Sequence, residues 1–160
     1  MLADVLHAAV HGGASVSFIL PFSIEEAAAF WRDKVLPAVV GGTSRLLVAR
    51  AGERIVGAVQ LDLAMPPNQA HRADVKKLLV HPDARRQGVA RALMAALEQT
   101  ALSQKRTLLV LDTRTGDHAE PLYLSMGYVR IGVIPRYARG PLSPELEPTS
   151  LLYKELLSSG

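Results

Sequence analysis

The chain has 160 residues, 49% of them hydrophobic and 21% charged, with a formal charge of +3 and no cysteine. This size and apolar content suit one globular domain over residues 1–160 and exclude a disordered chain. The missing cysteines exclude disulfide staples and any mechanism that holds an acyl group on a thiolate.

The opening "MLADVLHAAVHGG" predicts a short helix over residues 3–10, ended by Gly12 and Gly13. It carries Asp4, lacks a basic leader and has too short an apolar run for a signal peptide. "SIEE" is a capping box, with Ser23 and Glu26 placed to satisfy orphan N–H groups of a helix running to Leu36 and closed by Pro37, Gly41 and Gly42. "RLLVARA" and "RIVGAVQLDL" read as a hairpin turning at Gly52 and Glu53, and "MPPNQAH" as a loop. Residues 75–81 read as a strand, and 88–103 as a helix with Val89, Leu93, Ala96, Leu97 and Ala101 on its inner face. The apolar run 108–111 fits a strand covered on both sides. A short helix over 118–126, the strand "YVRIGVI", a turn-rich "PRYARGPLSPELEP" and the strand "TSLLYKEL" complete the chain. The order ααββ–β–α–β–α–β–β predicts one mixed α/β sheet.

The segment "DVKKLLVHPDARRQGVARALMAAL" carries the most chemistry. A strand feeds a helix through "RRQGVA", which presents backbone N–H groups at a positive helix end suited to a pyrophosphate. Gly88 lets the main chain approach phosphate oxygens, and small Ala90 keeps the first helical turn near the ligand. Arg85, Arg86 and Arg91 add charge, with Gln87 and Val89 between them. No Lys-Ser/Thr follows the glycine and no G-x-G-x-x-G occurs, so mononucleotide and dinucleotide loops are set aside. A second motif, "AEPLYLSMGY", places Ala119, Tyr123, Gly127 and Tyr128 at fixed intervals.

Arg85, Gly88 and Ala90 match [Q/R]-x-x-G-x-[G/A], and the second motif matches A-x-x-x-Y-x-x-x-G-[F/Y]. Together they resemble the acyl-coenzyme A signature of the GCN5-related N-acetyltransferase (GNAT) family. "VHGGASVSF", "LDT", "RYA" and "YKEL" are similar to the branch containing the tabtoxin-resistance acetyltransferase. The resemblance implies a mostly antiparallel central sheet with one parallel pair, flanked by helices, and acetyl-CoA as cosubstrate. It implies that residues 85–91 hold the pyrophosphate while the pantetheine arm runs along Leu79 and Val80, with the Val80 N–H toward the oxyanion. Tyr123 is then the acid for the departing thiolate. Asp74 and Asp112 fall where that branch has its bases, needed because an amine of pKa about 9–10 arrives protonated. Read as ordinary residues, Asp74 pairs with Arg72 or Lys76, Asp112 caps a loop, and Tyr123 is a core aromatic. His11, Gly12, Gly13 and Ser15 lie where the family has its substrate loop.

Two departures stand out. Gly116 replaces a common asparagine, and the chain begins almost inside the family's first helix, so that either its start is assigned late or the sheet lacks one edge strand. A sheet short of one edge strand invites pairing with a second copy as a homodimer. The expected activity is acetyl transfer to a small-molecule amine in a ternary complex; a non-catalytic acyl-CoA-binding domain and a protein or peptide amine as acceptor stay open. His7 and His11 have half of a metal spacing but no third ligand, so no metal is expected. No long basic run alternates with aromatics, so nucleic acid is not an expected partner. Nothing approaches a run of about 20 apolar residues, so no membrane is expected either, and the expected location is cytoplasmic.

Overall fold

In the computed structural model, which describes residues 1–157, six strands form one sheet in the order β1-β2-β3-β4-β6-β5. The strands are β1 (Ser44–Ala51), β2 (Arg54–Asp62), β3 (Arg72–Val80), β4 (Leu108–Arg114), β5 (Val129–Arg139) and β6 (Leu146–Glu155). Helices α1 (Leu2–His11), α2 (Ile24–Phe30) and α3 (Leu36–Val40) cover one face; α4 (Val89–Ser103) and α5 (Ala119–Ser125) cover the other. All pairs are antiparallel except β3 with β4. Strand β1 is at one edge of the sheet and β5 at the other. No helix among the described residues is long and apolar enough to cross a membrane.

Local chemistry accounts for most elements. Ser23 accepts from the Glu26 N–H at 3.1 Å and Glu26 accepts from the Ser23 N–H at 2.7 Å, which starts α2. The helix does not stop at Pro37. A π-helical turn over Trp31–Val35 absorbs the register change, and Pro37 sits in the first turn of α3, where its missing N–H costs no hydrogen bond. In α4 the buried face is Leu93, Met94, Leu97 and Ala101; Ala96 is exposed and Val89 partly covered. The segment expected to be a turn also differs. Residues 135–139 belong to β5, which shifts register between Ile134 and Ala138 because Pro135 cannot donate to a ladder and Arg136 takes φ 49°. The turn is confined to residues 140–145.

Two features of β3 open and line a cleft in the sheet. It pairs with β4 only over Arg72, Ala73 and Asp74; beyond that β3 stays with β2 and β4 with β6, so the two strands part. A bulge at Lys77 (φ 54°) then breaks the two-residue alternation. Ala73 and Val75 face the core beneath α4, but after the bulge Leu78 packs there and Leu79 turns to the α1–α2 face.

Candidate active site

The cleft leads into a cavity of about 600 Å³ lined by the loop after α1, the second half of β3, the ends of β4 and β5, and α5. The loop before α4 follows the end of β3 and lies outside the cavity lining. There Arg86 (φ 62°) and Gly88 (φ 77°) are both left-handed, and this twist aims consecutive N–H groups the same way. The first intrahelical bond of α4 runs from the Ala92 N–H to the Gly88 carbonyl at 3.0 Å. The N–H groups of Arg86, Gln87, Gly88, Val89, Ala90 and Arg91 have no acceptor among the described residues. A row of free donors at a helix N-terminus can take an anion.

Gly57 sets how closely this loop approaches the sheet. A β-carbon there would meet Val89 Cγ1 at 2.9 Å and the Leu79 carbonyl oxygen and Leu93 Cδ1 at 3.0 Å, so α4 lies directly on β2. Arg91 Nη2 donates to Ser125 Oγ at 2.8 Å, tying α4 to α5 across the cleft. Gln87 Nε2 reaches the Asp83 carbonyl at 3.4 Å. Arg85 and Arg86 are exposed, with an Arg85 guanidinium nitrogen next to Gly12.

The strand wall supplies donors of another kind. The His81 N–H donates to the Val56 carbonyl at 2.8 Å, and Leu79 pairs with Ala58. By the alternation of an antiparallel ladder, Val80 and Leu78 turn their N–H groups toward the cleft. Leu78 lines the cavity; Leu79 is buried behind it.

Tyr123 is 5% exposed and lines the cavity. Its hydroxyl has no hydrogen-bond partner among the described residues. Burial above all, then the charges of Asp117 and Asp112, pushes its pKa well above the usual phenol value, so it keeps its proton at neutral pH. Asp112 also lines the cavity, and its Oδ2 accepts from Thr149 Oγ1 at 2.8 Å.

Other residues expected at the site stand apart from it. Asp74 lies outside the cavity lining, with Oδ1 accepting from Arg72 Nη1, while Lys76 pairs with Asp62 at 2.6 Å. Of the "HGGAS" loop, Ser15 lines the cavity with Ala14 and Val16; His11, Gly12 and Gly13 end α1 outside it. His11 Nδ1 lies 2.9 Å from the His7 carbonyl oxygen, and no cluster of three metal-ligating side chains occurs among the described residues. His81 caps the turn before the loop, accepting from the Asp83 N–H at 3.1 Å.

The sequence reading missed Lys77, Arg139 and Thr149, all of which line the cavity. Lys77 depends on a bulge, Arg139 on the register of a distant hairpin, and Thr149 on pairing between β4 and β6. None of these leaves a local sequence signal.

A family model described as "Acetyltransferase (GNAT) domain" matches residues 20–140. The chain is 38% identical to N-acetyltransferase 8B of Rattus norvegicus over 87 residues, 53% of this chain and 39% of that protein, so it spans well under half the length of this curated relative. The fold is similar to ribosomal-protein-alanine N-acetyltransferase from Brucella melitensis, with a TM-score of 0.79 at 20% identity, covering 97% of this chain and 92% of that one. It is also similar to yncA from Salmonella typhimurium, solved with its cofactor acetyl-CoA, with a TM-score of 0.76 at 14% identity, covering 99% and 88%.

Proposed function

Because the chain belongs to the GNAT acetyltransferase family, we propose that it transfers the acetyl group of acetyl-CoA to a primary amine of a small molecule. The observation that carries this reading is the row of unpartnered N–H groups at residues 86–91, in a chain whose β3 wall and Tyr123 line one cavity. The pyrophosphate binds on those amides. The pantetheine arm extends β3 as an added strand along the edge that carries Leu78 and Val80, and one of their N–H groups receives the developing oxyanion.

The amine arrives as an ammonium and gives a proton to Asp112 or, through it, to water. Asp112 takes this role over Asp74, which also fits the tabtoxin-resistance pattern, because Asp112 faces the cavity while Arg72 engages Asp74. The free amine attacks the thioester carbon. A C–N bond forms, the C–S bond breaks, and the thiolate takes the proton of Tyr123. The proton lost from the new amide nitrogen restores the phenol. Burial makes Tyr123 a weaker acid, but the same dry surroundings raise the thiolate's affinity for a proton. With no cysteine to hold the acyl group, both substrates are bound at once. Acetyl-CoA is a cytoplasmic metabolite, and we place the reaction there.

The test is thiol release from acetyl-CoA against a broad library of primary amines, beside thermal shift with coenzyme A. Amine-dependent release together with stabilisation by the coenzyme is expected. Stabilisation without release from any amine would leave a binding domain in place of an enzyme.

A further inference from the structure

Lys77 is a cavity residue to which acetyl transfer gives no task. The left-handed backbone at the bulge presents it to the cavity at a cost of roughly 1–2 kcal/mol. Its ammonium donates to Ser17 Oγ at 3.2 Å and stands over two ring faces, 5.6 Å from the Phe30 centroid and 5.9 Å from that of Phe18. No carboxylate lies within 4.0 Å of it among the described residues. Burial and then the neighbouring Lys76 hold its pKa below the ordinary lysine value, while Asp112 pulls it upward. This half-buried cation is held by one hydroxyl and two rings and has no ion-pair partner among the described residues.

The other charges in the cavity sort themselves. Lys76 is paired with Asp62. Arg114 stands between Asp117 at 3.7 Å and Glu147 at 3.6 Å. Arg139, at the end of β5, lines the same cavity and has no carboxylate partner among the described residues. Among the described residues Lys77 and Arg139 are the cations of the lining with no carboxylate within 4.0 Å, Asp112 is the carboxylate with no cation that close, and Arg114 is shared by two carboxylates.

We infer that the acceptor is an amino acid, its ammonium directed to Asp112 and its carboxylate received by Lys77 Nζ and Arg139. This rests on the acetyltransferase reading and narrows it. A carboxylate gives Lys77 and Arg139 the ion-pair partner that neither has within 4.0 Å among the described residues, and an amino acid is small beside a cavity of about 600 Å³. An amine without a carboxylate would form no ion pair with either cation. A peptide N-terminus, whose nearest carboxylate is an amide, would do the same.

The experiment measures thiol release from acetyl-CoA with the L-amino acids, each beside its α-carboxamide, which keeps the amine and removes the charge. The best acid is expected to exceed its amide in kcat/KM by about tenfold or more, the worth of a charge-assisted hydrogen bond. Lys77→Met should collapse that ratio and Lys77→Arg should restore much of it; a purely structural role would lower acid and amide together. Arg139→Gln, at an exposed strand end, gives the same reading should Lys77→Met fail to fold. Equal use of acid and amide, release confined to amides, or no release from either set would each overturn the amino-acid assignment. Stabilisation by coenzyme A in the same preparation would then show that the coenzyme site survives that failure.

Discussion

Tyr123 is where a single atom decides between a binding site and a catalyst. Tyr123→Phe removes the acid but keeps the ring that packs against Tyr128, 5.6 Å away between centroids. The variant is expected to lose about a hundredfold in kcat, within the range of general acid catalysis, while its affinity for coenzyme A changes less than about twofold. The raised pKa adds a sign: the phenol stays protonated, so kcat should not fall on its account as pH rises from neutral through about 10. An unchanged kcat in the variant would remove Tyr123 from the mechanism. Arg86 permits a second test at this scale. It holds φ 62°, which glycine adopts without strain. Arg86→Gly is therefore expected to gain up to about 1 kcal/mol in urea unfolding, and a loss instead would mean that the side chain anchors the loop.

Among the elements, α4 matters most, because its N-terminus carries the free donors and Gly57 fixes its distance from β2. Gly57→Ala should cost about 1–3 kcal/mol by overpacking against Val89, Leu93 and the Leu79 carbonyl, and weaken coenzyme binding as α4 is pushed off the sheet. Unchanged stability and affinity would show that α4 shifts freely. The donor loop was legible in the sequence because its signals are local: Gly88, Ala90 and the arginines lie within seven residues. The hairpin at Gly52 and the Ser23 capping box were legible for the same reason. Pro37 misled because a π-helical turn, which no short motif announces, lets the helix continue past it. Pro135 misled because a strand can bulge around a proline when its partner β6 holds the flanking residues. The cavity's charges were the least legible. Lys77 and Arg139, like the polar Thr149, line one cavity only because strands far apart in sequence set their register, and the loop glycines expected near the acceptor end a helix outside it.

Across the molecule, Glu120 links α5, β5 and the loop at Gly116. It is 6% exposed, accepts from the Gly116 N–H at 2.9 Å and pairs with Arg130 at 3.1 Å. Burial pushes its pKa up, but the Gly116 N–H, the Ser150 hydroxyl and Arg130 outweigh this and leave it below the ordinary glutamate value. A carboxyl lowered on folding contributes stability above its unfolded pKa and loses it as pH falls through the folded one. Thermal unfolding should therefore show the parent chain losing stability below about pH 4.5 more steeply than Glu120→Gln. Equal slopes would mean that the ion pair is idle.

The chain's architecture converges on one claim, that the main chain at residues 86–91 grips the pyrophosphate of a coenzyme whose thioester reaches Tyr123. Calorimetric titration of coenzyme A tests it most directly. One site per chain is expected, weakened at least about tenfold by Gly88→Val, whose side chain would occupy the phosphate position at φ 77°, and left intact by Tyr123→Phe. Absence of binding, or equal binding by Gly88→Val, would contradict the account.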